Sequence, residues 1–401
     1  MPSGDLMPEL RSIRGEMCLV REERGGQDMY SDELEKVASF LVHDSLLLQP
    51  GERVLVDSSG DEPLTPMLVR KIYDAGAFPI VKTMTTATIK EMIRGSSRES
   101  LLLWSRQELS RLKSMDAYIN MTADRNMYEM EDVPPDRLVL YYKLLYQPIL
   151  AAAAAKPKWL LLHYPTDALA QLAQMSLDQL QAMFVRSCDY AGRHLQTRYL
   201  PVSRLLERTS RVRIVSPGTE LTFSIEGQAS RLCDGSHNFP GGEIFTAPLL
   251  DSVNGAITFN VPFHAYGRCF RDIRLEFCEG RVVDVTCSDT RAFLALMGKD
   301  DGASRVGEFG IGLNPAITSP IGTPAYDEKM AGSIHLALGN SYSEAGNGNV
   351  STVHMDLVLS QLTQHGGGAL YFDETLVRHN GIFTLPELQH LNEELEEGDA
   401  S

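Results

Sequence analysis

Between residues 33 and 200, short apolar runs alternate with longer stretches whose apolar residues recur at helical spacing, and few folds accept that alternation. Arg53-Val-Leu-Val-Asp57 reads as a buried strand, followed by the loop Ser58-Ser-Gly-Asp61. Leu64 to Ala75 reads as a helix, stopped by Gly76, since glycine accepts the left-handed conformation that closes helices. Phe78-Pro-Ile-Val-Lys82 is the next strand. A strand, a helix and a strand in that order imply parallel pairing, because the helix returns the chain to the edge where it started. Upstream, Glu33 to Leu47 places Leu34, Val37, Ala38 and Leu41 at helical spacing. The theme repeats in Ala117-Tyr-Ile-Asn-Met121, in a helix over Tyr142 to Ala155 and in Trp159-Leu-Leu-Leu-His163. Ser176-Leu-Asp-Gln179 is a capping box that opens a helix with Leu177, Leu180, Phe184 and Cys188 on one face. Residues 29–200 are therefore expected to form an α/β open-sheet domain.

Beyond about residue 201 the texture changes to short alternating strands. Arg213-Ile-Val215, Leu221-Thr-Phe-Ser-Ile225 and Ala256-Ile-Thr-Phe259 are examples. Ile273-Arg-Leu-Glu-Phe277 and Arg281-Val-Val-Asp-Val285 flank Glu279-Gly280 as a hairpin, with Ile273, Leu275 and Phe277 sharing a face. Residues 201–390 are expected to form a β-rich α+β domain. Residues 1–28 lack periodicity and read as an arm, and 391–401 as a solvated acidic tail. The chain has 401 residues, enough for two or three domains, and an ordinary apolar fraction of 43%. Its net charge of −16 provides no footprint for nucleic acid and disfavours anionic membrane surfaces. No segment is long and apolar enough to span a membrane, and the charged N-terminus does not read as a signal peptide. Six scattered cysteines without a Cys-x-x-Cys pair read as reduced thiols, and the expected location is cytoplasmic.

Several chemistries are excluded by missing motifs. There is no His-Glu-x-x-His, no phosphate-loop Gly-x-x-x-x-Gly-Lys, no Gly-x-Gly-x-x-Gly after a strand and no Gly-x-Ser-x-Gly. Polar groups concentrate in the second half instead. Val353-His-Met-Asp-Leu357 sets His354 and Asp356 two apart in an apolar strand, so both point to one face with Cβ atoms about 6.5 Å apart. Such a pair suits a divalent metal. Ser333-Ile-His-Leu-Ala-Leu338 embeds His335 in another apolar run, and Glu243 and Glu308 each follow a glycine ahead of an apolar segment. Burying a carboxylate is costly unless it is paired or bound to metal. Taken singly, each has an ordinary alternative, a hydrogen-bonded core histidine or a turn glutamate. The other histidines read as structural or surface residues, with His237 and His264 placed to line a cleft.

These residues fall in four ordered blocks. They are Asn238-Phe-Pro-Gly-Gly-Glu-Ile-Phe-Thr-Ala-Pro248, Gly307-Glu-Phe-Gly-Ile-Gly-Leu-Asn-Pro315, Asp327-Glu-Lys-Met-Ala-Gly-Ser-Ile-His-Leu-Ala-Leu-Gly-Asn-Ser-Tyr342 and Asn349-Val-Ser-Thr-Val-His-Met-Asp356. In them the chain resembles the M29 family of metallo-aminopeptidases, the aminopeptidase T type. The resemblance implies an exopeptidase that binds two divalent ions, Zn, Co, Mn or Mg, acts on peptides with a free N-terminus, and forms a homodimer. It implies Glu243, Glu308, His335, His354 and Asp356 as metal ligands, Glu328 as a further ligand, and Tyr342 as the catalytic tyrosine. Carboxylates such as Glu308 and Asp356 are able to bridge two ions, and such a pair of ions holds a shared hydroxide. Glu308 is accordingly counted with Tyr342 among the catalytic residues. Two rivals keep the fold. One is an iron-dependent ring-cleaving dioxygenase of the dihydroxypyridine type, with His335, His354 and Asp356 around one iron. The other is an inactive relative that only binds peptides.

Overall fold

The computed structural model describes residues 30–392 except Tyr266, with the side chain of His194 also left aside. The arm expected over 1–28, the tail beyond Asn392 and Cys18 lie outside the described residues. The first half builds a parallel sheet from β1 (Arg53–Ser58), β2 (Phe78–Thr83), β3 (Ala117–Thr122) and β4 (Trp159–His163), in the order β2-β1-β3-β4. The helix Leu64–Asp74 turns Leu64, Leu68 and Ile72 into the core, and Gly76 follows at φ +74°. The capping box of Ser176 and Gln179 forms in both directions, and its helix buries Leu180 and Phe184. The helix expected over 142–155 starts earlier, at Pro135, and runs to Ala154 through a wider turn at Tyr142–Tyr146. Proline has no amide hydrogen to lose at a helix start, which explains why the helix opens there. Two helices not read from sequence, Thr86–Gly95 and Arg98–Lys113, follow β2, each capped by a hydroxyl.

The rest of the chain is largely antiparallel. Its strands are β5 (Arg211–Ser216), β6 (Thr219–Ser224), β7 (Arg231–Cys233), β8 (Asn238–Phe239), β9 (Glu243–Thr246) and β10 (Asn254–Phe259). They continue with β11 (Phe263–Ala265), β12 (Arg268–Phe270), β13 (Ile273–Cys278), β14 (Arg281–Thr286) and β15 (Val306–Gly312). Then come β16 (Ser333–Gly339), β17 (His354–Ser360), β18 (Ala369–Phe372), β19 (Thr375–His379) and β20 (Ile382–Phe383). One sheet runs β14-β13-β10-β6-β5-β18-β19-β20, a second β17-β16-β15-β9-β7, and β11 and β12 form a separate ribbon. The hairpin between β13 and β14 turns on Glu279 and Gly280 at φ +49° and +74°, the conformation such a two-residue turn demands. The two larger sheets share one core. Leu221, Phe223, Ile257 and Leu275 of the first are buried with Phe309, Ile311, Ile334, Leu336 and Leu357 of the second. Phe223 and Phe309 meet edge to face at 5.1 Å.

One short strand ties the two halves together. β8 pairs in parallel with β4, matching Leu161 to Asn238 and Leu162 to Phe239, and so completes the first sheet as its fifth strand. Phe239 is buried between Phe40 and Phe184, with ring centroids at 6.1 and 5.4 Å. Pro240, Gly241 and Gly242 follow, and then Glu243 opens β9 in the second sheet. The segment that anchors the parallel sheet thus delivers an acid to the other. Phe239→Ala should lower unfolding free energy by about 3–5 kcal/mol, read from the urea midpoint at unchanged slope. Among the described residues no helix is long and apolar enough to cross a membrane.

Candidate metal centre

The antiparallel register decides which side chains meet. His335 lies opposite Gly310 and Val358, Asp356 opposite Ala337, Glu308 opposite Ala337, His354 opposite Gly339, and Glu243 opposite Gly312. Residues directly opposite share a face, and residues two apart along a strand share it too. Glu243, Glu308, His335, His354 and Asp356 therefore all project from the same face, away from the core formed by Phe309, Ile311, Leu336 and Leu357. Their cross-strand partners are small. A Cβ on Gly310 would lie 2.0 Å from Cε1 of His335, so only glycine there leaves room for the imidazole. A register shift between Val306 and Glu308 marks a bulge at Gly307, where the strand turns Glu308 inward.

Glu328 comes from a loop rather than a strand. It follows the short helix Pro324–Asp327, and Asp327 holds that turn by accepting the amides of Ile321 at 2.6 Å and Gly322 at 2.9 Å. The six acids and imidazoles form two groups. Glu243, Glu328 and His335 offer ligand atoms all within 4.8 Å of one another, and so do Glu308, His354 and Asp356. Glu308 joins them: its Oε1 lies 3.1 Å from Nε2 of His335 and its Oε2 3.6 Å from Nε2 of His354. His354 Nε2 is also 3.1 Å from Asp356 Oδ1. The other ring nitrogen of His354 faces the carbonyl of Asn340 at 2.8 Å. A carbonyl only accepts, so Nδ1 carries the hydrogen and the Nε2 lone pair points inward.

The site is built for cations. Glu243, Glu308 and His335 are buried, and Glu243 Oε2, Glu308 Oε2, Asp356 Oδ1 and His335 Nδ1 have no hydrogen-bond partner. Burial raises the Glu308 carboxyl pKa. Burial, and then the charge of Glu243, pushes Glu328 up to about 8. Burial alone would lower both imidazoles. For His335 the hydrogen bond it donates to Glu308 and the charge of Glu243 outweigh it and raise the ring to about 9. For His354 the charge of the nearby Asp356 raises it to about 10. Crowded carboxylates thus draw positive charge from whatever base is near. A divalent ion offers that charge without a proton, and carboxylate and imidazole donors without thiolate suit Zn, Co, Mn or Mg.

Tyr342 sits at the rim, 43% exposed, its ring 5.2 Å from that of His354 and 5.4 Å from that of Phe245. Enclosure by the protein, and then the charges of Glu308 and Asp356, raise its pKa well above the ordinary range and keep the phenol protonated. Its loop is stitched by asparagines. Asn347 donates to the carbonyls of Pro248 and Val306, and Asn349 to those of Gly302 and Gly339. All seven residues singled out from sequence therefore meet in one place.

One neighbour escaped the sequence reading, and His264 lines a cleft as expected. Lys329 is fully buried, with Nζ 2.9 Å from Glu243 Oε1 and bonded to Glu328 as well. Its only signal was a lysine between two acids and an apolar run. His264 shares a cavity of about 10 Å³ with Asp327 and Asp356, room for one water. His237 instead stacks on Trp159. A far larger cavity of about 1090 Å³, lined by Tyr30, Glu62, Arg125 and Tyr164, touches none of the six donors. Here donor chemistry locates the centre, and volume does not. Five described cysteines are free thiols.

A face of acids and imidazoles in two linked triads defines a metal-dependent enzyme. The sequence profile of the thermophilic metalloprotease family (M29) matches residues 30–369, and the chain belongs to that family. It is 24% identical to Aminopeptidase PepS of Streptococcus thermophilus, over 82% of this chain and 92% of the relative. It is also 24% identical to Aminopeptidase T of Thermus thermophilus, over 87% of this chain and 97% of the relative. The solved structure of wild-type AmpT from Thermus thermophilus superposes with a TM-score of 0.73 at 20% identity, over 89% of this chain and all of that one. The fold is therefore shared over that span.

Gly310→Ala tests the site's floor. It should displace His335 and lower bound metal at least about tenfold in elemental analysis, as loss of a ligand's support does, while circular dichroism stays native.

Proposed function

We propose that the protein is an aminopeptidase that releases the N-terminal residue of peptides at a centre of two divalent cations. The observation that carries this reading is Glu308, whose two oxygens face different imidazoles and which so links the two triads. Glu243, Glu328 and His335 would hold one cation, and Glu308, His354 and Asp356 the other. When bound, the pair supplies a water acidified to a nucleophile at neutral pH and polarises the scissile carbonyl. The protein residues do the remainder. Glu308, fixed by strand β15 and buried, is placed to take up a proton from the attacking water. The Tyr342 phenol, kept protonated, donates a hydrogen bond to the oxygen on which negative charge develops. The surplus of carboxylates attracts the substrate's free α-ammonium group, which restricts cleavage to the first residue. The same reading carries the homodimer and the cytoplasmic setting expected from sequence. A single-iron dioxygenase would leave Glu243, Glu328 and Lys329 without a task.

The test is release of p-nitroaniline from Leu-p-nitroanilide by the purified full-length chain, alongside elemental analysis. Glu308→Gln should lower turnover or metal content at least about a hundredfold with the fold intact. Tyr342→Phe should retain metal and lose about 10²–10³ in kcat. Near-normal release by the Glu308→Gln variant would overturn the assignment. Iron-dependent oxygen uptake on a dihydroxypyridine, without anilide cleavage, would favour the dioxygenase.

A further inference from the structure

The two triads are not electrically equal, and a single side chain makes the difference. Lys329 Nζ contacts Glu243 at 2.9 Å and Glu328, both in the first triad. Among the described residues no lysine or arginine pairs with Glu308 or Asp356, whose ionic partners are the imidazoles. With neutral imidazoles, each triad has two carboxylates, but only the first also has a fixed ammonium. The lysine is also held in place. It has no exposed surface, its amide donates to Tyr326 and its carbonyl accepts from Asn314. Its ammonium takes Oε1 of Glu243 and leaves Oε2 as the buried oxygen without a partner. It thus fixes which oxygen faces the ligand site, and repels a dication arriving there, since like charges a few ångströms apart interact strongly in a weakly screened interior.

We propose that Lys329 sets unequal affinities for the two cations: the triad of Glu308, His354 and Asp356 fills first and tightly, and the triad of Glu243, Glu328 and His335 fills second and exchanges. This rests on the two-cation reading above. The consequence is a window of metal concentration in which the chain holds one ion and is only partly assembled. Lys329 acts here as a positioning residue, through the carboxylates it holds and the charge it places beside them.

The experiment is calorimetric titration of the metal-stripped full-length protein with Co²⁺ alone, with chelator competition for the tighter step. The wild type should take up one ion per chain in a tight step and one in a step at least about tenfold weaker. Lys329→Met should strengthen the weaker step at least about tenfold and bring the two together, whereas Lys329→Arg, which keeps the charge, should preserve the gap. Asp356→Asn should abolish the tight step, and Glu243→Gln the weak one, so the assignment stands or falls even if Lys329→Met does not fold. Two equal steps in the wild type, loss of the tight step in Glu243→Gln, or a weaker second step in natively folded Lys329→Met would overturn the proposal. Absence of any Co²⁺ uptake by the wild type would instead overturn the two-cation reading itself.

Discussion

Four carboxylates crowd onto one face of a buried antiparallel sheet, and like charges at such distances repel one another strongly in an interior that screens poorly. Everything around Glu243, Glu308, Glu328 and Asp356 is arranged to offset that repulsion. Two imidazoles stand between the acids, with Glu308 and Asp356 drawing His335 and His354 toward the protonated form. One ammonium, Lys329, is buried among them. Even so, Glu243 Oε2, Glu308 Oε2 and Asp356 Oδ1 lack hydrogen-bond partners. A fold that tolerates these costs gains something by binding cations, because removing a partner from a buried charge otherwise destabilises by several kcal/mol.

The sheet geometry explains how such a cluster is reached without strain in the backbone. Strands one residue out of phase would send these groups to opposite sides, and the register of β9, β15, β16 and β17 keeps them on one. The opposing face is the hydrophobic core shared with the larger sheet, so a slip by one residue would bury the acids among Phe223, Leu275 and Phe309. The hydrophobic pattern thereby locks the polar one. Glycines at 310 and 312 then clear the floor, the first for the His335 ring and the second for the carbonyl of Met330.

Much of this was legible in the residues. The strand-helix-strand alternation foretold the parallel sheet, and period two foretold that His354 and Asp356 share a face. The four ordered blocks pointed to all six donors and to Tyr342. What escaped has physical reasons. β8 is two residues long, too short for any periodicity, and its place beside β4 is set by the distant packing of Phe239 on Phe40 and Phe184. The helix Arg98–Lys113 has a faint apolar spacing, and Thr86–Gly95, though amphipathic, buries only Ile93. Lys329 carries only a faint local signature, because what makes it significant is its distance to Glu243, 86 residues away in the chain.

The supply of donors from different kinds of element has a mechanical meaning as well. Five donors are held by strands of one sheet, and these include every member of the triad of Glu308, His354 and Asp356, the last two on the edge strand β17, which pairs with β16. Glu328 alone hangs from a turn, which depends on Asp327 for its shape. Burial raises Asp327 to about 7, despite the amides of Ile321 and Gly322 that favour its charge. The turn, rather than the sheet, carries both the sixth donor and the lysine bonded to it. Under the two-cation proposal, the triad of Glu308, His354 and Asp356 is carried wholly by strands, while the other is completed by a turn.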